Sequence, residues 1–538
     1  MISQRKQKNI IVTGASGFVG KYFIDYIKEE YNVIAIARRS QNESGISYHP
    51  NIHWVQWDIA NTSFLNQVLG FIIAKGCADF IVHLAGYYNF NYKYHPEYER
   101  TNVLGTKNVL ELAKKLNIKR FLFSSSLAAC SFDNKDRLIN EETEADAHFD
   151  YAISKKKGEE LVKLYTPHFS ISIIRFAAVF SDWCEYPPLY KFLSTWLKKG
   201  YDSRILAGKG FSGVSYIHIY DLARLMKTVL KKHEELPIDS TYVASPDGSS
   251  THLDLFKIST KDYFGKERRP IFLPKFLAYP GILVRIWMGK LKITPPSFEQ
   301  LWMVKYIDDQ LKVDASKTRK ELNWDTTPRY HILRRLLFLL VNMKSHKQEW
   351  DSKNEASLNR WSMRPSLKIY EHMLQMQDHI LKKVRICIID DEEKTEFANF
   401  RSLGKVEFDQ YVSQIYHLIM ATVRSSDRSL MLEYIGDIAV DRFATGFDFE
   451  ELSDFFLCIN KIIVEEMLQI PELSKLKQEV YDSIELSIQM AIDEMADTYE
   501  NLEIKLTPEK LTKLRSLKDQ KMRAIMIEKL SAFYQENE

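Results

Sequence analysis

Cysteine is scarce in this chain, and the five present (Cys77, Cys130, Cys184, Cys387 and Cys458) show no Cys-x-x-Cys spacing. That count and scatter point to neither a disulfide framework nor a zinc site, so no metal is expected. They fit a reducing compartment, with the cytoplasm as the expected location. No apolar h-region follows Met1-Ile-Ser-Gln-Arg-Lys-Gln-Lys8, so a secretory signal is not expected. No uninterrupted apolar run reaches the ~18 residues a spanning helix needs. Residues 274–288 and 333–341 come nearest; they read as buried or lid helices and are compatible with peripheral membrane contact. The basic residues come with no helix-turn-helix or zinc pattern, which excludes nucleic acid as an expected partner.

Charge and proline divide the 538 residues unevenly. From Ser366 onward 21 Lys and Arg face 33 Asp and Glu, whereas upstream 53 face 38. At roughly 150 residues per domain the length implies two to four domains, and the charge split implies two differently built halves. In the first half, strand-like runs at 9–13, 32–37, 53–57, 80–84, 120–124 and 170–176 alternate with helical stretches such as 102–116 and 151–165. Such alternation predicts an α/β fold: a Rossmann-type, doubly wound parallel sheet with ligands at the strands' carboxyl ends. A small substrate-binding lobe is expected mainly from 177–215 and 240–330, within a domain spanning 1–343. Residues 344–365 turn polar and aperiodic and read as a linker. Beyond them only Pro471 and Pro508 interrupt long amphipathic patterns at 407–424, 429–445, 448–469 and 473–502. Residues 366–538 therefore read as a separate all-α helical bundle, with Gly446 as a helix stop.

Two local patterns carry chemistry. Gly14, Gly17 and Gly20 form Gly-x-x-Gly-x-x-Gly between a strand and a helix. Glycine permits the tight turn and close backbone approach to a pyrophosphate, and the helix N-terminus offers unpaired N–H groups to that anion. Tyr151 and Lys155 lie four apart, which places them on one face if the segment is helical. A phenol is a poor base at neutral pH, because its reference pKa is about 10. A cation held close favours the phenolate and brings it into acid-base range. Asp58, at the end of the third strand-like run, reads equally as an acceptor for an adenine amino group and as a turn residue.

Several ordered motifs accompany these patterns: Thr13-Gly-Ala-Ser-Gly-Phe-Val-Gly20, His83-Leu-Ala-Gly86, Thr101-Asn-Val-Leu-Gly-Thr-Lys-Asn108, Phe123-Ser-Ser-Ser-Leu127 and Tyr151-x-x-x-Lys155. Downstream come Arg175-Phe-Ala-Ala-Val, Tyr216-Ile-His-Ile-Tyr-Asp-Leu-Ala223 and Glu321-Leu-Asn-Trp324. Together they make residues 8–340 resemble the extended short-chain dehydrogenase/reductase family, which includes sugar-nucleotide epimerases, dihydroflavonol reductases and 3β-hydroxysteroid dehydrogenases. The resemblance implies that Tyr151 exchanges the substrate's hydroxyl proton, that Ser126 holds the same oxygen, and that Lys155 binds the nicotinamide ribose and lowers the tyrosine pKa. It also implies Gly14, Ser16, Gly17, Phe18, Val19 and Gly20 at the pyrophosphate, Asp58 and Ile59 at the adenine, and Leu84 and Ala85 beside the nicotinamide. Asn102 matches a position that supports the central helix and strand.

Departures from the family pattern narrow the expectation. NAD-preferring members commonly end the second strand on an acid, where this chain has Ala37 followed by Arg38 and Arg39. Arg38 could pair with a 2′-phosphate, so NADP is favoured over NAD. Leu127-Ala128 replaces the Asp-Glu pair of sugar 4,6-dehydratases, and Val214 replaces an arginine with which epimerases grip a diphosphate. The expected activity is an NAD(P)-dependent oxidoreductase interconverting a hydroxyl and a carbonyl on a small, apolar molecule. A nucleotide-sugar epimerase is the first alternative, and an NADP-binding redox sensor signalling through the helical domain the second. The acidic bundle, faintly similar at 441–452 to helical sensor domains of bacterial stress-signalling proteins, is expected to serve regulation, homodimerisation or binding of a protein partner.

Overall fold

Short apolar runs, each closed by a polar turn, build one parallel sheet. The computed structural model describes residues 7–62, 65–88, 94–131, 137–291, 299–361, 365–390, 395–425 and 428–505. Strands β1 (Asn9–Thr13), β2 (Asn32–Ala37), β3 (Ile52–Gln56), β4 (Phe80–His83), β5 (Arg120–Ser126), β6 (Ser170–Phe176) and β7 (Asp239–Ala244) lie in the order β3-β2-β1-β4-β5-β6-β7. Side chains alternate between the faces of a strand, so a strand covered on both sides reads as a near-continuous apolar run. Ile10, Val12, Val33 and Val82 enter one core, and Ile11, Ile34, Ile81 and Phe121 enter the other. Helices α1 (Phe18–Ile27) and α5 (Ile219–Lys231) close the first face through Phe23, Ile24, Leu222 and Met226. Helices α2 (Leu65–Ala74) and α3 (Gly105–Leu116) close the second through Val68, Ile72, Val109 and Leu110. This is the doubly wound arrangement expected from the sequence. The crossover from β3-β2-β1 to β4 opens a crevice beside the carboxyl end of β1, where such sheets bind ligands.

Between β6 and residue 330 the chain adds short paired strands. Ala178–Phe180 pairs with Tyr216–His218, and Ile205–Ala207 with Ile271–Leu273. The lobe range expected from 240 begins on β7, so its first residues belong to the main sheet. Next come α6 (Lys275–Lys290), α7 (Ile332–Ser345) and α8 (Lys347–Trp361). Helix α8 occupies the stretch read as a linker, and the division into two compact units falls between Ser362 and Met363. Its inner stripe is Trp350, Asn354 and Ser357, two of which are polar. The Asn354 amide accepts from the Glu185 N–H at 3.0 Å and donates to the Trp183 carbonyl at 2.8 Å, while the Ser357 hydroxyl donates to the Glu185 carbonyl. These bonds hold a turn in which Cys184 and Glu185 both adopt positive φ. A hydrophobic-periodicity test is blind to a helix anchored in this way.

The second unit is helical: α9 (Pro365–Gln375), α10 (Gln377–Arg385), α11 (Lys405–Ser425), α12 (Ser429–Thr445), α13 (Phe449–Gln469) and α14 (Leu486–Lys505). Gly446 ends α12 at φ +91°, a conformation glycine adopts without strain. Ile415, Ile419, Ile435, Phe455, Ile463 and Ile488 share one core. Among the described residues no helix is long and apolar enough to cross a membrane.

Candidate active site

The glycine turn leaves β1 and enters α1. Gly14 has φ +69°, and a Cβ there would fall 2.6 Å from the Ala85 nitrogen. A Cβ on Gly20 would fall 2.3 Å from the Gly14 carbonyl oxygen. Neither position admits a side chain without backbone movement. Gly17 caps α1 with no side-chain acceptor, which leaves the first-turn N–H groups available to an anion. The turn is tied to its neighbours: Arg39 donates to the Ser16 carbonyl at 2.7 Å, the Leu84 N–H to the Thr13 carbonyl, and the Ala85 N–H to the Thr13 hydroxyl. A cradle that a single methyl would fill, with open helical N–H groups behind it, fits a dinucleotide pyrophosphate.

Beyond the turn lies a cluster of alternating charge. The Asp58 carboxylate accepts from the Ala60 N–H at 3.1 Å and from Arg100 at 2.8 Å. Burial pushes this carboxyl up, but Arg38 and Arg100 outweigh it and hold it below the usual range. Burial also pulls the Arg38 guanidinium down, with Asp58 opposing. One Nη1 of Arg38 and one of Arg100 each lie 3.9 Å from the same Glu97 oxygen, and neither has a hydrogen-bond partner among the described residues. Arg39 faces the other way, onto the glycine turn. Ile59 is buried beneath α3, where Gly105 lets the helix approach it.

Helix α4 (Asp150–Lys163) carries the Tyr-Lys pair. Its inner stripe, Ala152, Lys155, Gly158, Glu159 and Val162, has helical spacing but brings two charges against the sheet. Gly158 makes this approach possible, since a Cβ there would stand 2.5 Å from the Phe123 ring. The Lys155 ammonium donates to the Ser124 carbonyl at 2.7 Å and lies 5.9 Å from the Tyr151 ring centroid. Burial pulls it down to about 8, with Glu159 opposing. Holding it charged there costs on the order of 3 kcal/mol relative to water. Tyr151 is half-buried among Tyr88, at 4.2 Å between centroids, Tyr98 and Phe149. Ser126 ends β5, against which α4 packs, and its oxygen accepts from the Ala128 N–H at 3.1 Å.

Of three supporting groups, those built on His83 and Glu159 were not singled out from the sequence as site residues, whereas Asn102 was. His83, fully buried, bridges the Thr13 and Thr106 hydroxyls at 2.7 and 3.0 Å, and burial drops its pKa to about 3, so it stays neutral. Glu159 pairs with Arg175 at 2.8 Å and accepts from Ser125 at 2.5 Å. Asn102, in a π-helical turn (Tyr98–Leu104), accepts from the Tyr87 N–H at 2.6 Å and donates to Ser154 on α4. The available signal for Glu159 was its place four residues after Lys155; for Arg175 it was a lone charge in an apolar strand.

Residues 10–244 match the model of the NAD dependent epimerase/dehydratase family. A "Putative UDP-glucose 4-epimerase" of Methanocaldococcus jannaschii is 27% identical over 236 residues, 42% of this chain and 75% of its own length. A "Putative dihydroflavonol 4-reductase" of Synechocystis is 36% identical over 119 residues, which cover 22% of this chain and 32% of that protein. The crystal structure of UDP-glucose 4-epimerase with UDP-glucose from Thermotoga maritima aligns with 63% of this chain and 99% of its own, at 18% identity and a TM-score of 0.49. The glycine cradle, the buried lysine behind a half-buried tyrosine and the matched sequence agree: residues 10–244 belong to the NAD dependent epimerase/dehydratase family of extended short-chain dehydrogenases/reductases, and the first unit is an NAD(P)-dependent enzyme domain.

Proposed function

We propose that the first unit interconverts a hydroxyl and a carbonyl, with net turnover of the dinucleotide, on a substrate with an apolar body. The observation that carries this reading is the buried Lys155 ammonium beneath the Tyr151 ring, 2.7 Å from the end of β5. A bound nicotinamide supplies or accepts the hydride. The protein moves the proton: the Tyr151 hydroxyl gives it to, or takes it from, the substrate oxygen. Ser126 donates a hydrogen bond to that oxygen, and Lys155 stabilises the phenolate by its charge. Asn102 and Glu159 fix the helix that aims these groups. The aromatic wall of Tyr88, Tyr98 and Phe149 supports an apolar substrate, and so does Val214 where a cation would meet a diphosphate.

NADP is the favoured cofactor. The orphaned guanidinium nitrogens of Arg38 and Arg100 offer donors to a 2′-phosphate, and the same arginines already neutralise Asp58 and Glu97. A tighter dissociation constant for NADP than for NAD is the expected result, and equal affinities would remove the preference. Nucleotide-sugar epimerisation is the second reading, favoured by the similarity to the putative 4-epimerase of M. jannaschii. An epimerase regenerates its cofactor, so net NADPH consumption with a panel of ketones separates the two. Tyr151→Phe should lower turnover by about 10²–10⁴-fold with dinucleotide affinity retained. Undiminished turnover would sink the assignment of Tyr151.

A further inference from the structure

Helix α6 is built inside out. Phe276, Tyr279, Leu283, Trp287 and Leu291 follow one another at three- and four-residue steps, the spacing of a single helical face. In a helix that serves a core this face would be buried. Here Phe276 is 76% exposed, Trp287 66%, Tyr279 50% and Leu283 42%. The neighbouring stripe, Ala278, Ile282 and Ile286, is the one turned inward, with Ala278 at 3% and Ile282 and Ile286 partly buried. Ile271 and Phe272 of the preceding strand are exposed as well.

The charge around α6 is predominantly basic, with Glu299 paired to Arg285 at 3.0 Å. Residues 264–292 hold seven Lys and Arg and one acid, Glu267, and α6 itself carries no acid. We infer that α6 is a surface-docking helix for an anionic lipid bilayer, lying in the plane of the headgroups. Phe, Tyr and Trp around an aliphatic stripe suit the boundary between headgroups and acyl chains, and the surrounding cations suit anionic lipid. At 16 residues and about 1.5 Å per residue the helix is too short to span the hydrocarbon. A second copy of the chain is the poorer occupant, because two such faces would bring like charges together. The inference does not depend on which substrate the first unit takes.

Sedimentation of the full chain with extruded vesicles tests it. Wild type should pellet with phosphatidylcholine vesicles containing phosphatidylglycerol, pellet much less with phosphatidylcholine alone, and be partly released by salt. Phe276→Ser with Trp287→Ser should weaken binding at least tenfold, while Lys275→Glu with Arg285→Glu should abolish the preference for phosphatidylglycerol. Retained dinucleotide binding shows that each variant is folded; should the serine pair fail there, the charge pair alone decides. Three outcomes overturn the inference: wild type left in the supernatant with both vesicles, folded variants that bind like wild type, or a lipid-independent dimer that the serine pair dissolves.

Discussion

The two units bury different things. The first holds charge in its interior: Lys155 under Tyr151, Asp58 between Arg38 and Arg100, and Glu159 against Arg175. The core of the second is aliphatic and aromatic, with Phe400 and Phe455 stacked at 4.3 Å between Ile and Met side chains. Its buried carboxylates serve structure. Glu451 accepts from the Asn399 and Phe400 N–H groups, and Glu466 pairs with Lys383 and with His379 at 3.1 Å. Buried charge is expensive, and breaking such a pair from one side costs several kcal/mol. The first unit carries that cost at the proposed catalytic pair and its supports, whereas among the described residues of the second the buried carboxylates Glu451 and Glu466 hold helices together.

If so, the units should fail separately. Phe455→Ala opens a cavity in the aromatic stack and should destabilise the second unit by about 3–5 kcal/mol. Thermal unfolding should show one transition displaced downward, with the dinucleotide dissociation constant unchanged. A weakened dinucleotide site would show that the units are not separable in this sense.

The cysteines sharpen the contrast. In the first unit Cys130 and Cys184 are buried, and desolvation pushes the Cys130 thiol up to about 11, which disfavours the thiolate. In the second, the Cys387 and Cys458 sulfurs lie 2.9 Å apart and partly exposed, across 71 positions of sequence. A small-molecule disulfide should exchange with one of these thiolates and release a thiol. The second thiolate then displaces the other thiol, which completes the two-electron oxidation. Cross-linking so long a loop should raise the second unit's stability by about 2–4 kcal/mol. Peptide mapping should find the Cys387–Cys458 link, and Cys387→Ser should remove both the link and the rise in melting temperature. Mixed disulfides without the link would refute the pairing.

Legibility followed the same division. The runs 9–13, 32–37 and 170–176 declared the sheet because apolar residues predominate in each on both faces, as a twice-covered strand favours, with Asn9, Ser172 and Arg175 as buried polar exceptions. Gly14, Gly17 and Gly20 were readable as a cradle because their missing side chains are themselves the signal. Helix α8 was hidden because Asn354 and Ser357 anchor it by hydrogen bonds, and β7 because Asp239-Ser-Thr-Tyr-Val-Ala244 begins polar at a sheet edge. The supports of the site, His83 with Thr13 and Thr106, join residues far apart in the chain. No local pattern announces such a bridge. Arg100 was missed for the same reason, since its partner Asp58 lies 42 positions away.

The smallest effect tests the comparison most directly, because activity and stability should move in opposite directions. Lys155 sits near 8 in the folded unit, against a reference of 10.5, because burial disfavours its charge. As pH rises through about 8 the ammonium is lost, and with it the field that favours the Tyr151 phenolate. The value of kcat/KM should then fall, approaching tenfold per pH unit. Lys155→Arg stays charged and should move that limb to higher pH. The unfolded chain, by contrast, holds the lysine proton up to its ordinary value. It therefore binds more protons than the folded unit between about 8 and 10.5. Stability of the cofactor-free first unit should rise with pH across that window, by about 1 kcal/mol over the first unit of pH, relative to Lys155→Met. The second unit, with no buried lysine among its described residues, should show neither trend. A pH-independent difference between wild type and Lys155→Met would mean that Lys155 is solvated, and that the first unit does not bear the buried charge that distinguishes it.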